Sequence, residues 1–170
     1  WNGSSWRQLT TASMTLPNYP RMFVAPDGRL YYAGSGQQTL YLDPTGTGAW
    51  TSGPARKFGG RSYGSAGMYQ PGKILYVGGA NPPTNAAEIV DLNSPSPEWT
   101  YTGSLAYARW NLNATVLPTG DVLVTGGASG DRSNPANAVN VAELWNPESG
   151  SWTTLPSRAR LSPVRPWVPM

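Results

Sequence analysis

One phrase recurs three times along this chain, and no other feature constrains its fold as much. Each copy opens with a short apolar run, turns at a Gly, continues as a strand and closes in small Gly-rich residues. The turns are Pro26-Asp27-Gly28, Gln70-Pro71-Gly72 and Pro118-Thr119-Gly120. The strands after them read RLYYAG (29–34), KILYVGG (73–79) and DVLVTGG (121–127). A third strand follows in each copy, as TLYLDP (39–44), AEIVDL (87–92) and AELWNP (142–147), and then a Trp: Trp50, Trp99, Trp152. A fourth such residue, Trp6, stands near the start with no strands of its own before it.

A period of about 50 residues with four short strands per unit marks kelch-type β-propeller blades. The expected fold is therefore all-β: one partial propeller domain over 1–170, with blades at 16–53, 61–105 and 108–157. Residues 1–12 are expected to be an orphan outer strand, and 162–170 a tail outside the repeat. Prolines cannot donate to a strand ladder, so Pro163, Pro166 and Pro169 bar that tail from an inner strand. Runs such as ATVLP (114–118) and VLVTGG (122–127) lack strict alternation, as strands packed on both faces do. The pairs Gly78-Gly79 and Gly126-Gly127 predict positive φ or close backbone approach. The repeated Trp residues are expected to fill the space between blades. Segments 53–60 and 128–138 are expected to be loops. Three blades do not close a ring. The outer blades should each leave an apolar face bare, and the expected partner is a second copy in a two-fold homodimer.

Composition narrows the chemistry. The chain has no Cys and no His, which removes disulfides, thiol catalysis, zinc-finger spacing and any His-centred triad or metal site. Its net charge of +3 is not gathered into basic runs, so nucleic acid is not an expected partner. No apolar run reaches the roughly 18–20 residues that span a membrane, and no signal peptide is visible. Sequons occur at Asn2 and Asn113, the latter expected to be inaccessible on an inner strand.

Counting back from the turn glycines gives one equivalent position per blade: Tyr19, Tyr63 and Asn111. These should sit at the channel rim, where the inner strands begin. Two residues on, facing the same way by strand alternation, come Arg21, Ser65 and Asn113. Tyr, Arg, Ser and Asn around an axis suit a hydroxylated or anionic ligand, since Arg forks onto carboxylates and Tyr stacks or donates. The same residues also suit a plainer role, capping strand ends and wetting the channel. Arg61, Arg109 and Arg160 recur two residues before a rim position, which points to a structural role such as bonding loop carbonyls of the next blade. Glu88 and Glu143 are equivalent on the third strands, with Asp43 and Asp91 following in such strands. Acids repeating once per blade serve the scaffold, and Asp27 and Asp121 flank turns, where backbone bonding explains them.

The segments YGSAGMYQPGKILYVGG (63–79), YARWNLNATVLPTGDVLVTGG (107–127) and AELWNPESGSWTTLP (142–156) resemble the late propeller blades of galactose oxidase and its glyoxal-oxidase-like and bacterial kelch-like relatives. YPRMFVAPDGRLYYAG (19–34) fits the preceding blade. The resemblance implies the C-terminal half of a propeller that typically has seven blades, and a secreted setting. It implies a copper site built from His and Tyr with a Tyr–Cys cofactor. Ser162-Pro163 stands where the family's Tyr–His pair would open an inner strand, and neither His nor Cys occurs. No cofactor is therefore expected, and oxidase chemistry does not carry over. Two functional readings remain. One is a self-assembled scaffold that binds a sugar-like or anionic ligand. The other is a metal-independent hydrolase of esters, phosphates or glycosides, working in the channel or cleft of the assembly.

Overall fold

A computed structural model describes residues 1 and 3–156. Asn2, Arg160 and the tail 162–170 lie outside the described residues. The described chain folds into three four-stranded antiparallel sheets. The first blade comprises β1 (Met22–Val24), β2 (Leu30–Tyr32), β3 (Gln38–Asp43) and β4 (Ala49–Ala55). The second comprises β5 (Ser65–Gln70), β6 (Lys73–Val77), β7 (Ala87–Asp91) and β8 (Thr100–Tyr101). The third comprises β9 (Asn113–Val116), β10 (Val122–Thr125), β11 (Glu143–Asn146) and β12 (Ser151–Thr154). Within every blade the strands pair in chain order, so each sheet is a simple up-and-down meander.

The turn chemistry sets this register. Gly28, Gly72 and Gly120 adopt φ of 85°, 75° and 88°, a region that L side chains rarely tolerate. In the first turn the Gly28 N–H donates to Ala25 O and the Ala25 N–H to Arg29 O, closing β1 onto β2. The third turn repeats this between Gly120 and Leu117, and between Leu117 and Asp121. Asp27, Asp43 and Asp91 each accept the N–H two residues on, a local turn device that explains their positions without invoking chemistry.

The core lies between blades. Blade 2 is buried on both faces, and its central strand shows why the sequence lacks alternation. Ile74 and Tyr76 join Tyr31, Tyr41, Val90 and Trp99 in the junction with blade 1. Leu75 and Val77 point the other way and join Leu112, Val122, Val124 and Trp145 in the junction with blade 3. Each such fully buried side chain contributes about 1.5–3 kcal/mol of apolar transfer, so the junctions hold the blades together.

The repeated Trp residues differ from one another. Trp99 is fully buried, and its indole N–H donates to the Tyr31 hydroxyl at 3.0 Å, tying blade 2 to blade 1. Trp50 and Trp152 are half-buried and donate to Ala12 O and Gly103 O. Trp6 is 83% exposed and lies against the Trp1 ring, so it is not a core residue. Residues 3–12 form no strand, contrary to the expected outer strand. The segment lies instead against the β3–β4 turn, where Thr11 N donates to Thr47 O and a Cβ on Gly48 would strike Ala12 and Leu9. Two loop boundaries also shift. Residues 53–55 belong to β4, and the loop at 128–138 contains a 3₁₀ turn, Pro135–Asn137.

The two outer blade faces are unequal. By alternation from the paired rows, blade 1 turns Val24, Leu30, Leu42 and Trp50 away from blade 2, an apolar row partly covered by residues 9–12. Blade 3 turns Thr115, Leu123, Leu144 and Thr153 away from blade 2, so its outer face is half polar rather than uniformly apolar.

Candidate functional site

The inner strands begin at one end of the blades, and there the three equivalent rim residues share an unusual backbone. Tyr19, Tyr63 and Asn111 adopt φ of 58°, 60° and 56°. Such left-handed geometry is uncommon for Asn and more so for an aromatic residue. The local cause is the tight crossing between blades. The Asn111 N–H donates to Tyr63 O at 2.8 Å, while Arg61 N donates to Ser35 O at 2.7 Å. The inner strands of blades 2 and 3 therefore turn sharply beside a bond to the preceding blade. Gly78 and Gly79 make room for this with φ of 64° and 86°, as expected, since a Cβ on Gly79 would lie 2.6 Å from Gly64 N.

The turn throws the rim side chains outward around one cleft of about 430 Å³ between the blades. Tyr19, Arg21, Tyr63, Asn111 and Asn113 line it together with Ser35, Ser62 and Tyr76. Ser65 does not join them. It is buried, and its hydroxyl accepts the Ala114 N–H at 3.1 Å, so it stitches β5 to β9. Arg21 spans the other junction, donating to Gly64 O at 3.2 Å. Asn113 is exposed, which corrects the expectation that its sequon is inaccessible.

Three features of the cleft were not singled out from the sequence. Trp110 stacks edge-on against Tyr63 with ring centroids 5.7 Å apart. The Arg132 guanidinium lies 5.3 Å from the Tyr63 ring centre and 5.7 Å from that of Trp110. Arg56 is buried behind the Tyr76 wall, 4.0 Å over its ring, and donates to Ala33, Gly34 and Gly36 carbonyls. Arg132 sits in a Ser/Asn/Pro-rich loop that the sequence flags only as a loop. Arg56 has no equivalent in the next blade, where Leu105 takes its place, so the repeat hides it.

The recurrent Arg and Glu residues resolve into pairs. Arg61 meets Glu88, and Arg109 meets Glu143, each at 2.5 Å with both side chains fully buried. Arg61 also donates to Ala86 O, and Arg109 to Gly126 O and Val141 O. These carbonyls belong to the Arg's own blade, not the next one, which corrects the expected partner. The carboxylates reach further. Glu88 accepts the N–H groups of Lys57 and Phe58, and Glu143 those of Ala106 and Tyr107. Each pair thus clamps the linker that precedes its blade. Burial lowers both guanidiniums, opposed by the paired carboxylates; Arg61 falls to about 10, still charged at neutral pH. The paired absence of Arg and Glu in the first repeat, which has Pro17 and Leu40, was the signal that could have revealed the pairing.

With this geometry in view, the three sheets are propeller blades that resemble those of a galactose-oxidase-like protein. A fungal alcohol oxidase of the AA5 family, solved with copper, superposes with a TM-score of 0.76 at 25% identity over 83% of this chain. The protein YjhT superposes with a TM-score of 0.61 at 17% identity over 78% of the chain, a likeness of fold alone. The chain spans 32% of the first of these proteins and 48% of the second. No family profile and no curated protein matches the sequence. The donor set does not fit a copper site of the oxidase kind. These 170 residues contain neither His nor Cys, and among the described residues no three metal-binding side chains converge. Among the described residues, no helix is long and apolar enough to cross a membrane.

Proposed function

We propose that these blades form a galactose-oxidase-like scaffold that has lost, within these 170 residues, the copper chemistry, and that its rim cleft binds a sugar-like or anionic ligand. The observation that carries this reading is the convergence of three left-handed rim residues on one cleft. A strained backbone persists only where its surroundings over-determine it, and such residues gather at ligand clamps. The hydrolase reading draws less support. Among the described residues, no carboxylate lines the cleft to serve as acid or base. The test is ligand-observed NMR of the purified chain against neutral sugars and sugar acids. Arg21→Ala and Asn111→Ala should weaken the signals of any binder while the melting temperature stays nearly unchanged. Full retention of binding in both variants would return these residues to the structural role.

The scaffold reading extends to assembly. The apolar row Val24, Leu30, Leu42 and Trp50 of blade 1 and the Leu123–Leu144 strip of blade 3 are the faces a neighbouring blade would cover. The 170-residue polypeptide on its own is proposed to pair them in a two-fold homodimer, blade 3 of each copy on blade 1 of the other. Light scattering coupled to size exclusion should give about twice the 18.2 kDa chain mass. A stable folded species at the single-chain mass would remove the assembly from the proposal.

A further inference from the structure

Resting on the reading of the rim cleft as a ligand site, we infer that the cleft selects a carboxylate-bearing sugar, a uronate, over the neutral sugar of the same shape. The charge distribution carries this. Five ion pairs are formed among the described residues, and none of them includes Arg21, Arg56 or Arg132. One lines the cleft and the other two press on its lining rings. Arg21 lines it and has one carbonyl contact, to Gly64. Arg132 is outside the lining but lies over the ring of the lining residue Tyr63. Arg56 is fully buried one ring thickness behind, pressed on Tyr76, and its carbonyl acceptors Gly34 and Gly36 flank the lining residue Ser35. The Arg56 Nε has no hydrogen-bond partner.

The nearby acids cancel only part of this charge. Glu88, the buried carboxylate of this junction, is spent on Arg61 and the linker N–H groups. Asp131 accepts from Ser133 N at 2.9 Å and Ser133 Oγ at 2.8 Å and stays ionised next to Arg132, so it offsets part of that charge, but it is fully exposed and does not reach Arg21 or the buried Arg56. Two buried guanidiniums thus share one carboxylate at the junction of blades 1 and 2, leaving a net positive charge behind the cleft wall. Low-dielectric walls focus such a field into a cleft, where an anion is attracted and a cation repelled. Arg forks match a carboxylate in bidentate geometry better than a hydroxyl. The sugar ring is matched by the remaining lining. Tyr19 and Tyr63 offer ring faces, and Asn111 and Asn113 offer paired donors and acceptors for hydroxyls.

The experiment is calorimetric titration of the whole chain with D-glucuronate, D-glucose and sodium sulfate in turn. Glucuronate should bind roughly tenfold or more tighter than glucose, the size of one charge-assisted bond. Added salt should narrow that gap, because Arg132 is solvent-facing. Arg132→Ala should weaken glucuronate several-fold more than it weakens glucose, and Arg21→Gln should act in the same direction. Equal affinity for glucuronate and glucose would overturn the selectivity and leave the cleft as a neutral-sugar site. Sulfate binding as tightly as glucuronate would overturn the sugar-acid assignment in favour of a bare anion site. No binding of any of the three would overturn both this inference and the reading of the cleft on which it rests.

Discussion

Blade 1 and blades 2 and 3 reach the same four-stranded meander by different interior chemistry. Where blades 2 and 3 carry Arg61 with Glu88 and Arg109 with Glu143, blade 1 carries Pro17 and Leu40. The positions are equivalent in space: Leu40 pairs with Tyr32 across the sheet as Glu88 pairs with Tyr76. An ion pair is therefore not needed to make a blade. What it adds is control of the chain just before the blade. The linkers at 57–58 and 106–107 are bonded to the buried carboxylates, whereas Ser13 and Met14, which precede blade 1, are exposed and part of no strand. The clamp fixes how one blade follows another, and the blade without it has an irregular lead-in.

The sharpest way to break this comparison is to unpair a clamp. Glu88→Ala leaves Arg61 buried without its carboxylate and should cost about 3–5 kcal/mol in denaturant unfolding. Converting blade 2 to the apolar solution with Arg61→Met and Glu88→Leu together should recover part of this. The two linker N–H groups still lose their acceptors, so the double variant should sit about 1–3 kcal/mol below the parent. If the double variant is as unstable as the single one, or worse, the ion pair is doing more than holding the linker, and the parallel with blade 1 fails.

How much of this was legible beforehand follows the range of the interaction. The turns at Gly28, Gly72 and Gly120 are local, and the three sheets form around them. Two-sided packing was expected for 114–118 and 122–127, but β9 and β10 stand in an end blade and leave one face exposed; it is β6 of the middle blade that is buried on both. Arg61 and Glu88 are 27 positions apart, and each repeats once per blade, so each was seen as structural without its partner. The rim cleft gathered five of the six residues expected there; Ser65 shares the register of Arg21 and Asn113, but its short side chain stays buried in the middle blade and is taken up by the Ala114 N–H. Arg56 and Arg132 were illegible because neither repeats. The lead-in at 3–12 failed as a strand because Trp6 resembles the other Trp residues in spacing but has no sheet to join.

The Trp residues give the next comparison. Trp99 is fully buried at the blade 1–2 junction, so Trp99→Ala should cost about 3–5 kcal/mol. Trp50, half-buried at the edge of blade 1, should cost about half of that, in proportion to the apolar area lost. Trp6→Ala should stay within about 0.5 kcal/mol, as for an exposed side chain. Chemical denaturation of the three variants ranks them, and a large effect at Trp6 would mean that the lead-in is packed in solution.

Alkali should separate the junctions. Burial raises Tyr31, Tyr32 and Tyr41 in blade 1, and pushes Tyr69 in blade 2 up to about 12. No tyrosine lies on a strand of blade 3. A folded pKa above the unfolded one gives stability that is complete below about pH 10 and is lost as pH rises through the folded value. Melting temperature should thus hold between pH 8 and about 10 and fall towards 12. Tyr31→Phe keeps the ring but removes the ionisable hydroxyl, and should flatten part of that fall. An identical alkaline profile for parent and variant would rule out Tyr31 as a source.

The smallest effect tests whether the rim conformation is strained or merely unusual. Ala80, at φ 71°, lies outside the cleft lining, while Tyr63, at φ 60°, lies within it. A left-handed L residue costs roughly 1–2 kcal/mol, and glycine returns about 0.4–1 of this through greater freedom in the unfolded chain. Ala80→Gly should therefore stabilise by about 0.5–1 kcal/mol. Tyr63→Gly relieves the same backbone but also deletes the contacts with Trp110 and Arg132, which are surface contacts worth about 0.5–1 kcal/mol each. Its net change should lie near zero while ligand signals at the cleft disappear. Stabilisation by Tyr63→Gly as large as that by Ala80→Gly would mean that the aromatic contacts contribute nothing to the fold, leaving Tyr63 in its strained pose without a structural reason. A clear loss of stability would mean the opposite: the ring is held for packing, and the left-handed turn is the conformation the blade junction imposes on whatever residue stands there.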